Sequence, residues 1–515
     1  MSESQITAAT IVAIYMGIVL AVGVWVGRRQ TSSASWQFGG GLSVPAIVAM
    51  LLGTRLGAAS TVGLVEDVYE TGIVSFSFIT GAVLGQVICG FTTGRLFYRT
   101  KMMTLTAFSF HRMGKPVTFL AIINDMFIGL AVNGLQVLGV GLILSSITGL
   151  PVYVGVIIGS FLGWIYLTLG GIRSTAATNI IHLCVCFFGV MLATVLLIGM
   201  KPPSEVIAAV PGDLLRPFVP AMLIVRWTIV GVAISLVANV YHSPLATAKS
   251  EAKAVQASTL TGVAYLAFGI PVTLMGLYAI GFAAPIFQEA TGTELPGASA
   301  FGYFAALLGN PEHGGSAFGG IAGLILMSGV VGAIISTMAP LAWAISTILS
   351  RDVYRRFLKP DATDAEELFA TRIFSTIYWV VPAVIALSVK GGLLKALLFL
   401  LELPAGGVFA AVLCFYWDRV NNSSAFWTLL TSISMGVLHK IVDLTNPAIL
   451  EPMGPWFGSA LGWILTASAL VFFPLVFFGK PATDEQLEVT RRARANAEPL
   501  PDAPGVLLEK AMRSE

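Results

Sequence analysis

Apolar segments of about 20 residues recur along the whole chain, and each is long enough to cross the hydrocarbon core of a bilayer as a helix. About thirteen are spaced from end to end, centred near residues 17, 54, 85, 130, 160, 188, 231, 270, 332, 380, 403, 430 and 467. Such repetition leaves one fold class, an all-α polytopic membrane protein. Lipid offers backbone N–H and C=O groups no partners, so a spanning segment must satisfy them internally. The surface composition agrees. Charged residues make up 11% of the chain and hydrophobic ones 56%, whereas a soluble domain carries about 25% charged residues. A net charge of +2 marks no nucleic-acid partner.

The connections are short. The longest internal loops are expected at Gln30 to Leu42 and Ala284 to Ser316, which leaves no room for a soluble insertion. One transmembrane domain is therefore expected over residues 1–480, followed by a polar tail over 481–515, partly helical or disordered. Met1 to Thr7 is polar without a cationic run, so no cleaved signal peptide is expected and the first apolar run stays as a helix. Basic residues set the orientation. Arg28 and Arg29, then Arg95, Arg99, Lys101, Arg112 and Lys115, then Lys249 and Lys253, follow the first, third and seventh spans. Arg351, Arg355, Arg356 and Lys359 follow the ninth, and Arg491, Arg492 and Arg494 follow the last. Glu66, Asp67, Glu70, Glu289, Glu294 and Glu312 occupy alternate loops. A multi-pass protein of the cell membrane fits, with its N-terminus outside and its C-terminus cytoplasmic.

Two segments depart from an ordinary span. Gly53-Thr54-Arg55-Leu56-Gly57-Ala58-Ala59-Ser60-Thr61-Val62-Gly63 places three glycines, two threonines, a serine and an arginine at membrane depth. Each glycine weakens a helix by about 1 kcal/mol, and unwound backbone is tolerated there only where it lines a cavity. A small-residue packing face is the alternative, but it leaves Arg55 without a reason. The seventh segment closes on Ala238-Asn239-Val240-Tyr241-His242-Ser243-Pro244, which is either a helix end at the interface or a second break. The two segments open matching blocks of five helices, about 43–200 and about 218–418. Interrupted helices at corresponding positions of two halves point to an inverted-repeat transporter.

Other classes lack their chemistry. His111, His182, His242, His313 and His439 are scattered, and Cys89, Cys184, Cys186 and Cys414 sit in apolar stretches without metal or redox spacing. No nucleophile, paired carboxylate or metal set for a membrane enzyme is visible. A transporter-like sensor would need an output domain, and only the tail from Lys480 to Glu515 follows the last apolar run.

Four stretches in order resemble the solute:sodium symporter family. They are Gly53 to Gly63 followed by Tyr69 and Gly72; Tyr166-Leu167-Thr168-Leu169-Gly170-Gly171-Ile172-Arg173 with Thr178-Asn179-Ile180-Ile181-His182; Ala246-Thr247-Ala248-Lys249-Ser250; and Gly332-Ala333-Ile334-Ile335-Ser336-Thr337 continuing to Ser350-Arg351-Asp352-Val353-Tyr354. The resemblance implies a leucine-transporter-like fold, with one extra N-terminal helix, a five-plus-five inverted repeat and two C-terminal helices. It also implies alternating access around a central site. The expected activity is secondary transport of a small polar or anionic organic solute inward, with Na⁺ as coupling ion and no cofactor. A Na⁺-independent uniporter, exchanger or proton-coupled carrier is the alternative on the same fold. The expected partners are the solute and the bilayer, with the chain a monomer or loose homo-oligomer.

The resemblance also assigns positions. Carbonyls of Gly53, Leu56 and Ala333 with the hydroxyls of Ser336 and Thr337 would hold Na⁺. The alternative for both hydroxyls is a bond back to their own helix. Ser60, Thr61, Gln86, Asn133, Gln136, Asn239 and His242 would meet the solute, while Trp227 and Trp343 either flank the pocket or, as the residues alone favour, pack in the core. The chain departs from the family at Arg55, where an uncharged or acidic residue is usual, at Asn179 in place of Asp, and at Met338-Ala339-Pro340. A charge at membrane depth costs at least about 2.5–3.5 kcal/mol on insertion scales, so Arg55 needs a partner. Three arrangements supply one: a carboxylate such as Asp125 or Glu402, the place of the ion's own charge, or an anionic or zwitterionic solute held bidentately. Arg226 adds a second positive charge for such a solute.

Overall fold

Chain segments that lie in hydrocarbon must close their own hydrogen bonds, and the computed structural model is helical accordingly. It describes residues 3–28, 32–39, 41–388, 399, 402–501 and 503–507. Within them the single piece of extended pairing is a parallel bridge between Leu42 and Ala248.

The first half runs through α1 (Glu3–Gly27), α2 (Ser33–Phe38), α3 (Val44–Arg55), α4 (Val62–Thr71), α5 (Ser77–Phe91), α6 (Thr93–Thr100), α7 (Leu105–Thr148), α8 (Val152–Met200) and α9 (Pro203–Ala209). The second half runs through α10 (Ala221–Val237), α11 (Asn239–Ala246), α12 (Glu251–Tyr278), α13 (Ala284–Thr291), α14 (Gly297–Leu308), α15 (Ala317–Thr347) and α16 (Asp364–Ser388). After the break in the described residues come α17 (Val408–Tyr416), α18 (Asn422–Thr445), α19 (Ala460–Phe478) and α20 (Asp484–Ala495).

Among the described residues eight helical stretches are long and apolar enough to cross a membrane, or nine if α10 and α11, bent by 46°, form one span. Shorter apolar helices, α3, α14 and α17 among them, add to these. The expected span centres fall within helices except the one near 403, which borders residues 389–398, 400 and 401 outside the described set. Arg29, Gln30 and residues 508–515 also lie outside it.

Both stretches expected as long loops contain helices. Ser32 and Ser35 form a capping box that starts α2, and Gly39 (φ 67°) ends it. α14 buries Phe301, Phe304, Leu307 and Leu308. Helices of this length fall below a window of about 20 residues, and so escape a search for spans. The tail is likewise ordered as α20, which Thr483 caps. It is docked through the Ala493 carbonyl to Arg99 (3.1 Å) and through Arg491 and Arg494 to Asp418.

These contacts gather the basic loops on one face. Arg95 and Arg99 grip Glu251 at the start of α12. Glu367, fully buried, accepts from Gln37 of α2 (2.9 Å) and pairs with Arg355 and Arg351. The Leu42 N–H donates to the Thr247 carbonyl (2.9 Å), so the start of α3 is tied to the end of α11.

Helix approach is set by small residues. α5 and α10 cross at Gly81, Gly85 and Gly231, where a side chain at Gly81 would lie 2.4 Å from the Trp227 carbonyl. This crossing brings Trp227 of α10 against Gly81, and Gly85, beside Gln86, against Ser235. α8 turns at Gly171 (φ 54°, ψ −145°), a region reserved for glycine, and its missing side chain makes room for Trp36. A Cβ there would lie 2.4 Å from the Trp36 carbonyl oxygen.

Gly171→Ala should therefore destabilise the protein by at least about 1–3 kcal/mol. Gly199, in the same helix with nothing within 4 Å, should accept alanine neutrally or gain up to about 1 kcal/mol. Thermal unfolding of the two purified variants checks this, and equal midpoints would contradict the strain assigned to Gly171.

Candidate functional site

The centre of the molecule is where two helices stop and restart. α3 ends at Arg55, Leu56 leaves the helical region (φ −86°, ψ 45°), and Ala58–Ser60 form one 3₁₀ turn before α4. α10 ends at Val237, and Ala238 is extended (φ −82°, ψ 131°) before α11 begins. The stretch from Ala238 to Pro244 is thus a second break and not a helix end.

Side chains satisfy the backbone groups the first break sets loose. The Gln136 carboxamide oxygen accepts from the Ala58 N–H (2.8 Å). A side chain at Gly57 would displace that amide, whose oxygen lies 2.7 Å from where a Cβ would be. The Ser60 hydroxyl donates to the Arg55 carbonyl and meets the Tyr265 hydroxyl at 2.7 Å. The Thr61 hydroxyl donates to the Gly57 carbonyl (3.0 Å).

Arg55 is 7% exposed, and no carboxylate among the described residues pairs with it. Its Nε and Nη2 donate to the Gln86 oxygen (3.2 and 2.8 Å), and Nη2 donates to the Ser235 hydroxyl (2.7 Å). Gln86 is oriented in turn by its Nε2 donating to Ser258 (2.7 Å). The guanidinium carbon lies 4.2 Å from the Tyr241 ring centre and 5.9 Å from that of Tyr265. These are dipoles and π faces, not counter-charges. Of the two carboxylates expected as partners, Glu402 is buried and engaged by Arg226. Asp125 lines a different cavity, beside Ser109 and Ala238.

Arg55 opens onto a cavity of about 110 Å³ between the two breaks. Of the expected solute contacts, Arg55, Ser60 and Gln136 line it, and so does Trp227. The others sit elsewhere. Thr61 and Gln86 stand behind its wall as described. Asn133 donates to the Met338 carbonyl (3.3 Å). Asn239 accepts from the Leu105 N–H (2.8 Å) and the Ser243 hydroxyl (2.9 Å), joining the break to the start of α7. His242 is fully buried against Thr93 (3.0 Å) and Cys89. Trp343 is packed in the core.

The sequence did not single out Phe78, Tyr241, Tyr265 or Ser235. Tyr241 belongs to the stretch recognised as unusual, but which of its residues faces the cavity depends on the bend at Ala238. Tyr265 is an ordinary tyrosine in an apolar helix and carries no signal.

The five positions expected around an ion lie where the end of α3 crosses α15. The Thr337 hydroxyl donates to the Gly53 carbonyl (2.7 Å) and lies 3.2 Å from the Ala333 carbonyl, to which Ser336 also donates (2.7 Å). Leu56 follows at the break itself. Asn179 spans the same crossing, donating to the Ala49 and Ser336 carbonyls (3.2 and 3.1 Å), and its buried Oδ1 has no partner among the described residues. No cluster of His, Cys, Asp or Glu suited to a metal occurs among the described residues.

Solved structures share this architecture. A Na⁺-coupled sialic acid symporter in its substrate-bound outward-open state aligns with a TM-score of 0.73 at 17% identity, over 92% of this chain and 98% of the other. MhsT in complex with L-phenylalanine aligns at 0.55 and 14% identity, over 83% and 97%. A nucleobase-cation-symport-1 family transporter, closed with bromovinylhydantoin bound, aligns at 0.53 and 14% identity, over 92% and 98%. At such identities the likeness is one of fold. By sequence, the chain is 22% identical over 478 residues to a sodium/glucose cotransporter of Vibrio parahaemolyticus, covering 84% of this chain and 85% of that protein. The pattern that defines the Sodium:solute symporter family matches residues 37–432. The chain belongs to that family, and is a membrane transporter and not an enzyme.

Proposed function

We propose that this protein is a Na⁺-coupled symporter that carries a small polar or anionic organic solute inward by alternating access. One observation carries the reading: two interrupted helices meet at a single central cavity, with a buried guanidinium at its wall and carbonyls and hydroxyls gathered beside it. Family membership supports Na⁺ as the coupling ion.

Gly53, Leu56, Ala333, Ser336 and Thr337 would hold the ion, and Arg55, Ser60 and Gln136 would contact the solute. Thr61, Gln86, Asn133, Asn239 and His242 would then support the pocket from behind. A hydroxyl that now donates to a helix carbonyl has lone pairs free, so Ser336 and Thr337 can turn oxygen toward a hard cation without a new residue. The proposed topology is thirteen spans in two inverted repeats, about 43–200 and about 218–418. The basic face is cytoplasmic and the N-terminus outside.

A cation held at about ten times its Kd stabilises the folded state by roughly 1.4 kcal/mol. The melting temperature in NaCl should exceed that in equal choline chloride, and the Ser336→Ala/Thr337→Ala double variant should lose the difference. Absence of any Na⁺ effect, with and without organic anions present, would leave a Na⁺-independent carrier. The missing acidic residue at Asn179 is the observation that favours that second reading.

Alternating access also requires the basic face to open. The Glu367 cluster and the Leu42–Thr247 bond hold it together. In a cysteine-free background, Thr54→Cys should react several-fold faster with a membrane-impermeant maleimide from that face when Glu367→Gln is added. An unchanged rate would show that this cluster is no gate.

A further inference from the structure

We infer that the solute is a carboxylate with an apolar body and no ammonium group. This deepens the proposed function and rests on its central cavity being the transport site.

The argument begins with what the cavity offers and lacks. Its lining carries no Asp or Glu. Arg55 supplies a full positive charge, and its Nη1 makes no hydrogen bond among the described residues, while Nε and Nη2 are held by Gln86 and Ser235. Trp227, a residue 3% exposed, also lines the cavity, and its indole N–H has no partner among the described residues. Gln136 spends its oxygen on the Ala58 N–H, which leaves its NH₂ as a third donor. Three donors, one of them charged, suit the two oxygens of a carboxylate.

An ammonium group would need acceptors, and each carbonyl loosened at the breaks already accepts one hydrogen bond, which leaves it one lone pair at most. The Arg55 carbonyl accepts from Ser60, the Gly57 carbonyl from Thr61, and the Gly231 carbonyl from Ser235. The Ala238 carbonyl accepts from the Tyr241 N–H (3.2 Å). A cation would also stand beside a guanidinium with no carboxylate to offset it. The helix ends act in the same sense. α4 and α11 both begin at the breaks, without a side-chain cap, and helix N-termini favour anions.

Much of the rest of the wall is apolar, through Phe78, Val132, Val230, Ile234, Val240 and Leu341. The Thr54, Ser60 and Thr337 hydroxyls that also line it already donate to backbone carbonyls, and Tyr241 and Tyr265 complete the wall. A polyol such as a sugar would therefore find fewer partners there than it has in water.

The test uses the full-length purified protein and four probes that share a phenyl ring: benzoate, benzamide, benzylamine and phenylalanine. Acetate and hexanoate are added to cover body size. Ligand-induced thermal stabilisation gives each apparent affinity, in NaCl and in choline chloride. A carboxylate of the set should bind, with benzamide, benzylamine and phenylalanine each at least tenfold weaker. Arg55→Gln should abolish carboxylate binding, and Trp227→Phe, which keeps the apolar wall, should weaken it several-fold.

Phenylalanine binding as tightly as benzoate would overturn the exclusion of an ammonium group. Benzamide doing so would overturn the anion. Failure of all three carboxylates to bind would overturn the inference as a whole. The Na⁺-dependent shift measured in the same runs would report separately whether the symporter reading stands.

Discussion

Every backbone N–H and C=O at membrane depth must find a partner inside the protein, and the centre of this molecule follows from meeting that demand at two interruptions. A helix satisfies its own groups. α3 and α10 give that up around Leu56 to Thr61 and at Ala238, so neighbouring side chains must take over. Gln136, Ser60 and Thr61 do so at the first break. Because Gln136 comes from α7 and Ser60 meets Tyr265 of α12, those two helices and the break itself are held in one register. The cavity between the breaks is a by-product of that register. Two helices that each bend away from their axis leave space that no regular helix face can fill.

The charge of Arg55 belongs to the same centre. Elsewhere at depth the protein does pair an arginine: Arg226 engages a Glu402 that is only 1% exposed. The lack of a carboxylate at Arg55 is therefore local, not a general poverty of acidic groups. Gln86, Ser235 and the Tyr241 ring lower the cost of burying the guanidinium but leave its net charge in place. A site that keeps an uncompensated charge facing a cavity is poised for whatever brings the opposite charge.

Much of this was legible in the sequence. Apolar length marked most of the spans, and the glycines and hydroxyls of Gly53 to Gly63 marked the break, because no packed span tolerates an arginine among them. Four motifs in order gave the family. What was not legible has two physical causes. Short helices such as α2 and α14 carry no signal at the scale of a bilayer, and buried connections therefore looked like loops. The direction of a side chain near a bend depends on dihedral angles at one residue. Asn239 and His242 are thus turned into the protein, whereas Tyr241, between them, faces the cavity. Of the three arrangements the sequence left open for Arg55, a carboxylate partner is absent among the described residues, and only three-dimensional packing shows that Gln86 and Ser235 hold the guanidinium.

On the proposed reading, the fixed charge also decides how ion and solute bind. The ion would sit beside Gly53, two residues from Arg55. Two unit charges about 8 Å apart at an effective dielectric of about 20 repel by roughly 2 kcal/mol. Asn179, being neutral, does nothing to offset this. Na⁺ alone would then bind weakly, since its carbonyl and hydroxyl ligands must work against the guanidinium. A carboxylate held by Arg55 cancels that repulsion and adds an attraction of its own. Each ligand would therefore raise the affinity of the other by the same factor, as linkage requires. Coupling in such a site needs no long pathway through the protein. It follows from placing one permanent positive charge where a mobile anion must come to balance it.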